Sequence, residues 1–226
     1  VLDWEPEELK RHSSVSTGIG RAVWEKTKIN ILDTPGDSNF INDSRNCLSV
    51  ADSCLLVVSA VGGVEVNTEK MWGLAERLGV PRIILINKCD RERANPEQAL
   101  KEITEHLHPG VIQLHLPIGR EGTFQGVVSV MSGKAFTYEG ASGKGKEIPV
   151  PADMEADLAK AYKAIVEAVA ETDEALMEKY FEDDDLPDED VRAALPTLIQ
   201  AGDLVPVLYG AASRNMGMDL LLNVLV

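Results

Sequence analysis

Three short apolar runs constrain this chain more than any other feature: SCLLVVSA (53–60), PRIILINK (81–88) and LVPVLYG (204–210). Continuous Val-, Ile- and Leu-rich runs of this kind suit strands buried on both faces in a parallel sheet. Parallel strands need crossovers, and two helical patterns supply them. Residues 66–78 place Trp72, Ala75 and Leu78 on one face, and residues 95–107 open at NPEQ. Strand alternating with helix predicts an open α/β sheet. Residues 21–33 fit a hairpin feeding an inner strand, and NMGMDLLLNVLV fits a final helix.

From about His115 to Gln200 the texture changes. EGTFQGVVSVMSGKAFTYEG reads as two short strands joined at SGK, and ASGKGKEIPVP (141–151) as a loop. Leu158, Tyr162, Ile165 and Val169 then recur at helical spacing over 152–171, and Pro187 separates two further helical stretches. The organisation expected is a core over 1–114, an inserted α+β block over 115–203, and the last strand and helix of the core over 204–226.

Charge narrows the partners. A net −15, from 37 acidic and 22 basic side chains, repels nucleic-acid backbones, so no direct DNA binding is expected. A basic protein partner suits such a surface better. No apolar run approaches the ~18 residues of a membrane helix, so no membrane role is expected. Three cysteines with no C-x-x-C pair read as free thiols in a reducing, cytoplasmic setting. His12, His106, His108 and His115 show no ligand spacing, and Trp4, Trp24 and Trp72 read as packing residues. EDDD (182–185) lacks the glycine and terminal glutamate of a calcium loop and reads as a solvated turn.

Open α/β sheets bind ligands beyond the C-terminal ends of their strands. Two motifs stand there. DTPG (33–36) offers a carboxylate, Asp33, of the kind that holds Mg2+, and a glycine, Gly36, whose N–H can approach a γ-phosphate. A helix N-cap is the competing role for Asp33. NKCD (87–90) offers Asp90 to the N1–H and N2–H2 donors of guanine, a pair that adenine lacks. Lys88 can lay its stem over the purine, and Asn87 can tie neighbouring loops. A third loop, GAASRNMG (210–217), brings the Ala212 N–H toward guanine O6.

With those motifs in place, the chain resembles the GTP-binding domain of elongation factor G and its elongation-factor-G-like relatives, over essentially all 226 residues. VLDWEPEELKRHSSVSTGIGRAVW resembles the first switch, KINILDTPGDSNF the second, and VPRIILINKCD the guanine-specificity loop. PVLYGAASRNMGMDLLLNVLV resembles the last strand and helix, and LPIGREGTFQGVVSVMSGKAFTYEG the opening of the subdomain that family inserts. The resemblance implies a P-loop-NTPase-like GTPase sheet domain with an inserted α+β subdomain, binding GTP or GDP with Mg2+. It places Ser14 and Asp33 at the metal. It places Asp33, Thr34, Pro35 and Gly36 along the phosphates, and Asn87, Lys88, Cys89, Asp90, Ala211 and Ala212 around the base. Ala211 stands where the family has a serine supporting the specificity aspartate. The resemblance also implies a ribosomal partner, with Glu167, Glu171 and Glu174 as an acidic contact to the stalk protein.

Two departures accompany it. The phosphate loop G-x-x-x-x-G-K-[ST] is not found in the sequence; in the family it precedes the first switch, so an internal fragment of a longer protein is expected. The residue after DTPG, which in the family is a histidine positioning the attacking water, is Asp37. A carboxylate there opposes a phosphate by about 4 kcal/mol at ~4 Å and effective dielectric ~20. Two readings stand: a ribosome-associated GTPase, or a guanine-nucleotide-binding module with weak or no hydrolysis. Asp37 as an exposed N-cap competes with both.

Overall fold

The computed structural model describes residues 2–140 and 142–226. Val1, the first residue of the first-switch stretch, and Ala141, with which the loop at 141–151 begins, lie outside them. The chain opens with a short helix, α1 (Pro6–Arg11), and a hairpin of β1 (Gly18–Trp24) and β2 (Thr27–Asp33). Glu25 and Lys26 both take positive φ, 44° and 71°, as a tight two-residue hairpin turn requires. After α2 (Ile41–Leu48) come β3 (Cys54–Ser59), α3 (Val66–Arg77), β4 (Arg82–Asn87), α4 (Pro96–His106) and β5 (Val111–Gln113).

Next stand β6 (His115–Ile118), β7 (Gly126–Ser129), β8 (Lys134–Thr137) and β9 (Lys146–Ile148), then α5 (Glu155–Ala170), α6 (Glu174–Asp183) and α7 (Asp188–Ala201). The chain closes with β10 (Val205–Tyr209) and α8 (Met218–Leu225). Strands β3, β4, β10 and β5 form a parallel sheet in that order, while β6 to β9 form an antiparallel meander. The α/β sheet architecture expected from the apolar runs is present.

Sheet position explains where side chains depart from expectation. Strand β4 lies between β3 and β10 and is buried along Arg82–Ile86, as a continuous apolar run predicts. Strand β3 carries an equally apolar run but lies at the edge of its sheet among the described residues. Its Leu55 and Val57 are 37% and 54% exposed, so it is not buried on both faces. Leu78 is the C-cap of α3 rather than part of its buried face, and is exposed. Trp72 is buried, Trp24 is half-buried and donates from Nε1 to Asn223 on α8 at 2.7 Å, but Trp4 is 72% exposed. The helix expected over 152–171 begins as a 3-10 turn and ends at Ala170, so Glu174 belongs to the next helix.

The main apolar cluster runs without a break from the parallel sheet (Ile83, Leu85, Leu208) through the meander (Leu116, Val128) to Ile165 and Val191 on α5 and α7. Burial of each such side chain contributes roughly 1.5–3 kcal/mol. Asp219 on α8 fastens the meander further, accepting from the Tyr138 hydroxyl at 2.6 Å and the Gly145 N–H at 2.9 Å. These contacts hold the segment after β5 against the sheet edge where the strands end.

Candidate nucleotide site

The parallel register brings the C-terminal ends of β3, β4 and β10 to one edge of the sheet, where Ala60 N–H donates to Asn87 O and Gly210 N–H to Ile86 O. Asn87 ends β4, and its Oδ1 accepts from the Lys88 N–H at 2.8 Å and the Ala212 N–H at 2.9 Å. One side-chain oxygen thus ties the NKCD loop to the loop after β10. The Ala212 N–H, expected to face guanine O6, is therefore already engaged, and a base contact would have to share it. Lys88 is held at φ 64°, a left-handed conformation that β-carbon sterics disfavour.

Cys89 anchors the same turn from inside. Its N–H donates to Gly210 O at 3.2 Å and its thiol to Ile86 O at 3.3 Å, and burial pushes that thiol up to about 12. This is a packing thiol with no surface to offer a base. Ala211 is fully buried, exchanging backbone hydrogen bonds with Met216. Asp90 differs from its neighbours: its Oδ1 is buried with no hydrogen-bond partner among the described residues. An orphaned carboxylate oxygen costs about 1–3 kcal/mol or more, and a pair of N–H donors would offset that cost. Such a donor pair is what the guanine edge presents.

A support for this loop was not legible beforehand. Glu121, in the turn after β6, donates its N–H to Cys89 O at 2.8 Å and accepts the Arg93 N–H on Oε1 at 2.9 Å. The turn folds tightly there because Gly119 sits at φ 76°, where a side chain would lie 2.3 Å from Thr123 O.

The other motif lies at the end of β2. Among the described residues that strand pairs only with β1, in a separate two-stranded sheet, and is largely exposed, so it is not the inner strand that the hairpin was expected to feed. Pro35 O accepts from the Ser44 hydroxyl on α2 at 3.3 Å, and Gly36 O from Asn67 Nδ2 on α3 at 2.9 Å. Two helices therefore pin the DTPG loop. At Gly36 a β-carbon would meet nothing within 4 Å, so this side of the backbone is open. Thr34 is half-buried beside it and Pro35 is buried. Asp33 ends β2 and caps no helix; partial burial raises its carboxyl above the usual range, and the nearby Asp3 and Glu8 carboxylates add to the rise. That crowding of negative charge is what a cation would relieve.

Ser14 donates its hydroxyl to Asp3 Oδ1 at 2.7 Å, which leaves its oxygen lone pairs for a metal. Ser14 and Asp33 carry oxygen donors of the kind Mg2+ takes, but among the described residues no group of three or more His, Cys, Asp or Glu side chains comes together as a metal cluster. Asp37 is the exposed N-cap of the 3-10 turn Ser38–Phe40, accepting from Asn39 N and Nδ2, both at 2.9 Å. Its carboxylate is turned onto its own turn. Among the described residues no hydrogen bond joins the 33–37 loop to the 87–90 loop.

The acidic trio is divided between two helices. Glu167 on α5 accepts the Tyr180 hydroxyl at 3.3 Å and lies 4.0 Å from Lys163, while Glu171 and Glu174 line a shallow surface depression together with Met177 and the exposed Phe181.

Comparison with known proteins agrees with this geometry. The family model described as the elongation factor Tu GTP binding domain matches residues 1–226. The chain also superposes on the crystal structure of ttk003000868 from Thermus thermophilus with a TM-score of 0.91 and 32% sequence identity. The match covers 99% of this chain and 33% of that one, so the chain spans a third of its relative's length.

Proposed function

The chain belongs to the family of elongation factor Tu GTP-binding domains, and from that premise we propose that it is the guanine-nucleotide domain of a ribosome-associated translational GTPase of the elongation-factor-G-like kind. In this reading it binds and hydrolyses GTP with Mg2+ in the cytoplasm. The observation that carries the base assignment is the buried Oδ1 of Asp90, unpartnered among the described residues, on a loop tied by Asn87 to Ala212. Asp90 reads the two guanine donors and Lys88 covers the purine face. Thr34, Pro35 and Gly36 line the phosphates. Ser14 and Asp33 would hold Mg2+, which supplies neutralisation of phosphate charge when bound.

The elongation-factor-G-like assignment rests on the segment 115–203, which we propose as an insertion between the core at 1–114 and the closing strand and helix at 204–226. Its Glu167, Glu171 and Glu174 would meet a basic partner, the ribosomal stalk protein in this reading.

A second reading is favoured by one observation. Asp37 already accepts two hydrogen bonds from Asn39, so its carboxylate acts as a cap rather than as a water-positioning group. The domain would then bind guanine nucleotide and hydrolyse it weakly. Single-turnover hydrolysis by the full-length protein with ribosomes separates the two. Base choice is tested by Asp90→Asn, which should weaken GTP and GDP binding by about 1–3 kcal/mol and turn preference toward xanthine nucleotides, whose O2 can accept from the new amide. Unchanged GTP affinity in that variant would remove Asp90 from the pocket.

A further inference from the structure

Glu8 is a charged side chain with only 1% of its surface exposed, in a segment where every neighbouring carboxylate reaches solvent. Its two oxygens are divided between the two ends of that segment. Oε2 accepts the N–H groups of Trp4 and Glu5, both at 3.1 Å. Oε1 accepts the Val15 N–H at 3.0 Å, the Ser16 N–H at 3.3 Å and the Ser16 hydroxyl at 3.3 Å. The residue just before the first fastened end is Asp3, and the residue just before the second is Ser14. Those two meet in the 2.7 Å hydrogen bond from Ser14 to Asp3. A single carboxylate therefore closes residues 3–16 into a loop and fixes the hydroxyl at its far end.

The geometry points to Glu8 as the positioning residue of the Ser14 hydroxyl: by fastening both ends of the 3–16 segment it sets where that oxygen stands, and hence how readily the domain holds a Mg2+-dependent triphosphate. This rests on the reading of Ser14 as a metal-side residue. A serine carries no β-methyl to restrict its rotamer, so the backbone that bears it must be placed by other contacts. Charge-assisted hydrogen bonds from backbone N–H to carboxylate are about twice as strong as neutral ones, so a fivefold-bonded carboxylate makes a stiff fastening. Among the described residues the fastening makes no hydrogen bond to the base loop or the DTPG loop, so its loss should spare contacts that GDP makes there. The Glu8 charge does act on Asp33, and Ser16→Ala, which keeps that charge, separates the fastening from it.

The test uses the full-length protein carrying Glu8→Gln, whose amide oxygen can serve one end but whose NH2 repels the donors of the other. Ser16→Ala, which removes a single donor, is the milder companion should the first variant fold poorly. Trypsin should cut after the exposed Lys10 and Arg11 about tenfold faster in Glu8→Gln, and less so in Ser16→Ala. The Mg2+ concentration that half-saturates GTP retention should rise about three- to tenfold, while GDP affinity stays within about twofold. A merely structural role would move GTP and GDP together. Wild-type cutting rates in both variants would overturn the fastening. Faster cutting with an unchanged Mg2+ requirement would overturn the positioning role. A wild-type protein that retains GTP equally without Mg2+ would overturn the metal-side reading beneath it, and that result shows before any substitution is made.

Discussion

His115 should make the junction between the meander and the parallel sheet acid-sensitive. The side chain sits at the start of β6, is 3% exposed, and its Nδ1 is buried without a hydrogen-bond partner among the described residues. Burial lowers its pKa from 6.5 to about 4, with Asp219 pulling weakly the other way. The folded state thus keeps the imidazole neutral, while the unfolded chain takes up a proton as pH falls below 6.5. Stability is full above 6.5 and declines between 6.5 and about 4. The whole gap corresponds to about 3 kcal/mol, and about 2 kcal/mol is lost by pH 5.

Hydrogen exchange of the amides in 115–130 measures this locally, without requiring a single unfolding free energy for the whole protein. Protection, corrected for intrinsic exchange rates, should fall about thirtyfold from pH 7 to pH 5. In His115→Leu, which removes the titrating ring and keeps the site apolar, that fall should largely vanish. His108, also lowered by burial, adds a smaller slope of the same sign that both proteins share. If wild type and His115→Leu lose protection equally, the buried imidazole is not the acid-sensitive group and the reasoning fails.

Two further outcomes follow from the site. Asp37→His should raise ribosome-stimulated GTP turnover by up to about 10²-fold with little change in GDP affinity; a slower variant would make Asp37 the domain's own water-positioning group. Asn67→Ala frees the Gly36 carbonyl and should weaken GTP by about 1 kcal/mol while sparing GDP, and equal losses for both nucleotides in a titration would contradict a role confined to the γ-phosphate side.

Much of the architecture was legible because buried parallel strands leave a plain record in sequence. The runs at 53–60, 81–88 and 204–210 became β3, β4 and β10, and the helices at 66–78 and 95–107 became α3 and α4 within one residue or two. The short elements were not legible. Helix α2, with the sequence INDSRNCL, has no continuous apolar face, and β5 is three residues long. Burial failed where sheet position rather than composition decides it, as at Leu55 and Val57.

The site divides in the same way. DTPG and NKCD could be read because their chemistry is contiguous in the chain. The supports could not, because they arrive from a distance: Asn67 reaches back to Gly36, and Glu121 to Cys89. Glu8 gave one faint signal, the P-E-E sequence of a capped helix start, but nothing that foretold its bonds to Val15 and Ser16.

Among the described residues no strand pairs with the outer edge of β3, which bears on how these 226 residues behave in a tube. Sheets that end on an open strand usually guard it with a lysine, a proline or a bulge that spoils pairing with a second molecule. Residues Cys54–Ser59, CLLVVS, carry no charge and no proline, and their ladder with β4 runs six residues in unbroken register. The domain prepared alone therefore presents a sticky template, on which another copy can lay a strand and go on adding. Self-association should climb with protein concentration and persist in salt, since hydrogen-bonded backbone and apolar contact, rather than charge, hold such an aggregate together. The strong negative charge of the chain slows the approach of two copies but leaves the template itself bare.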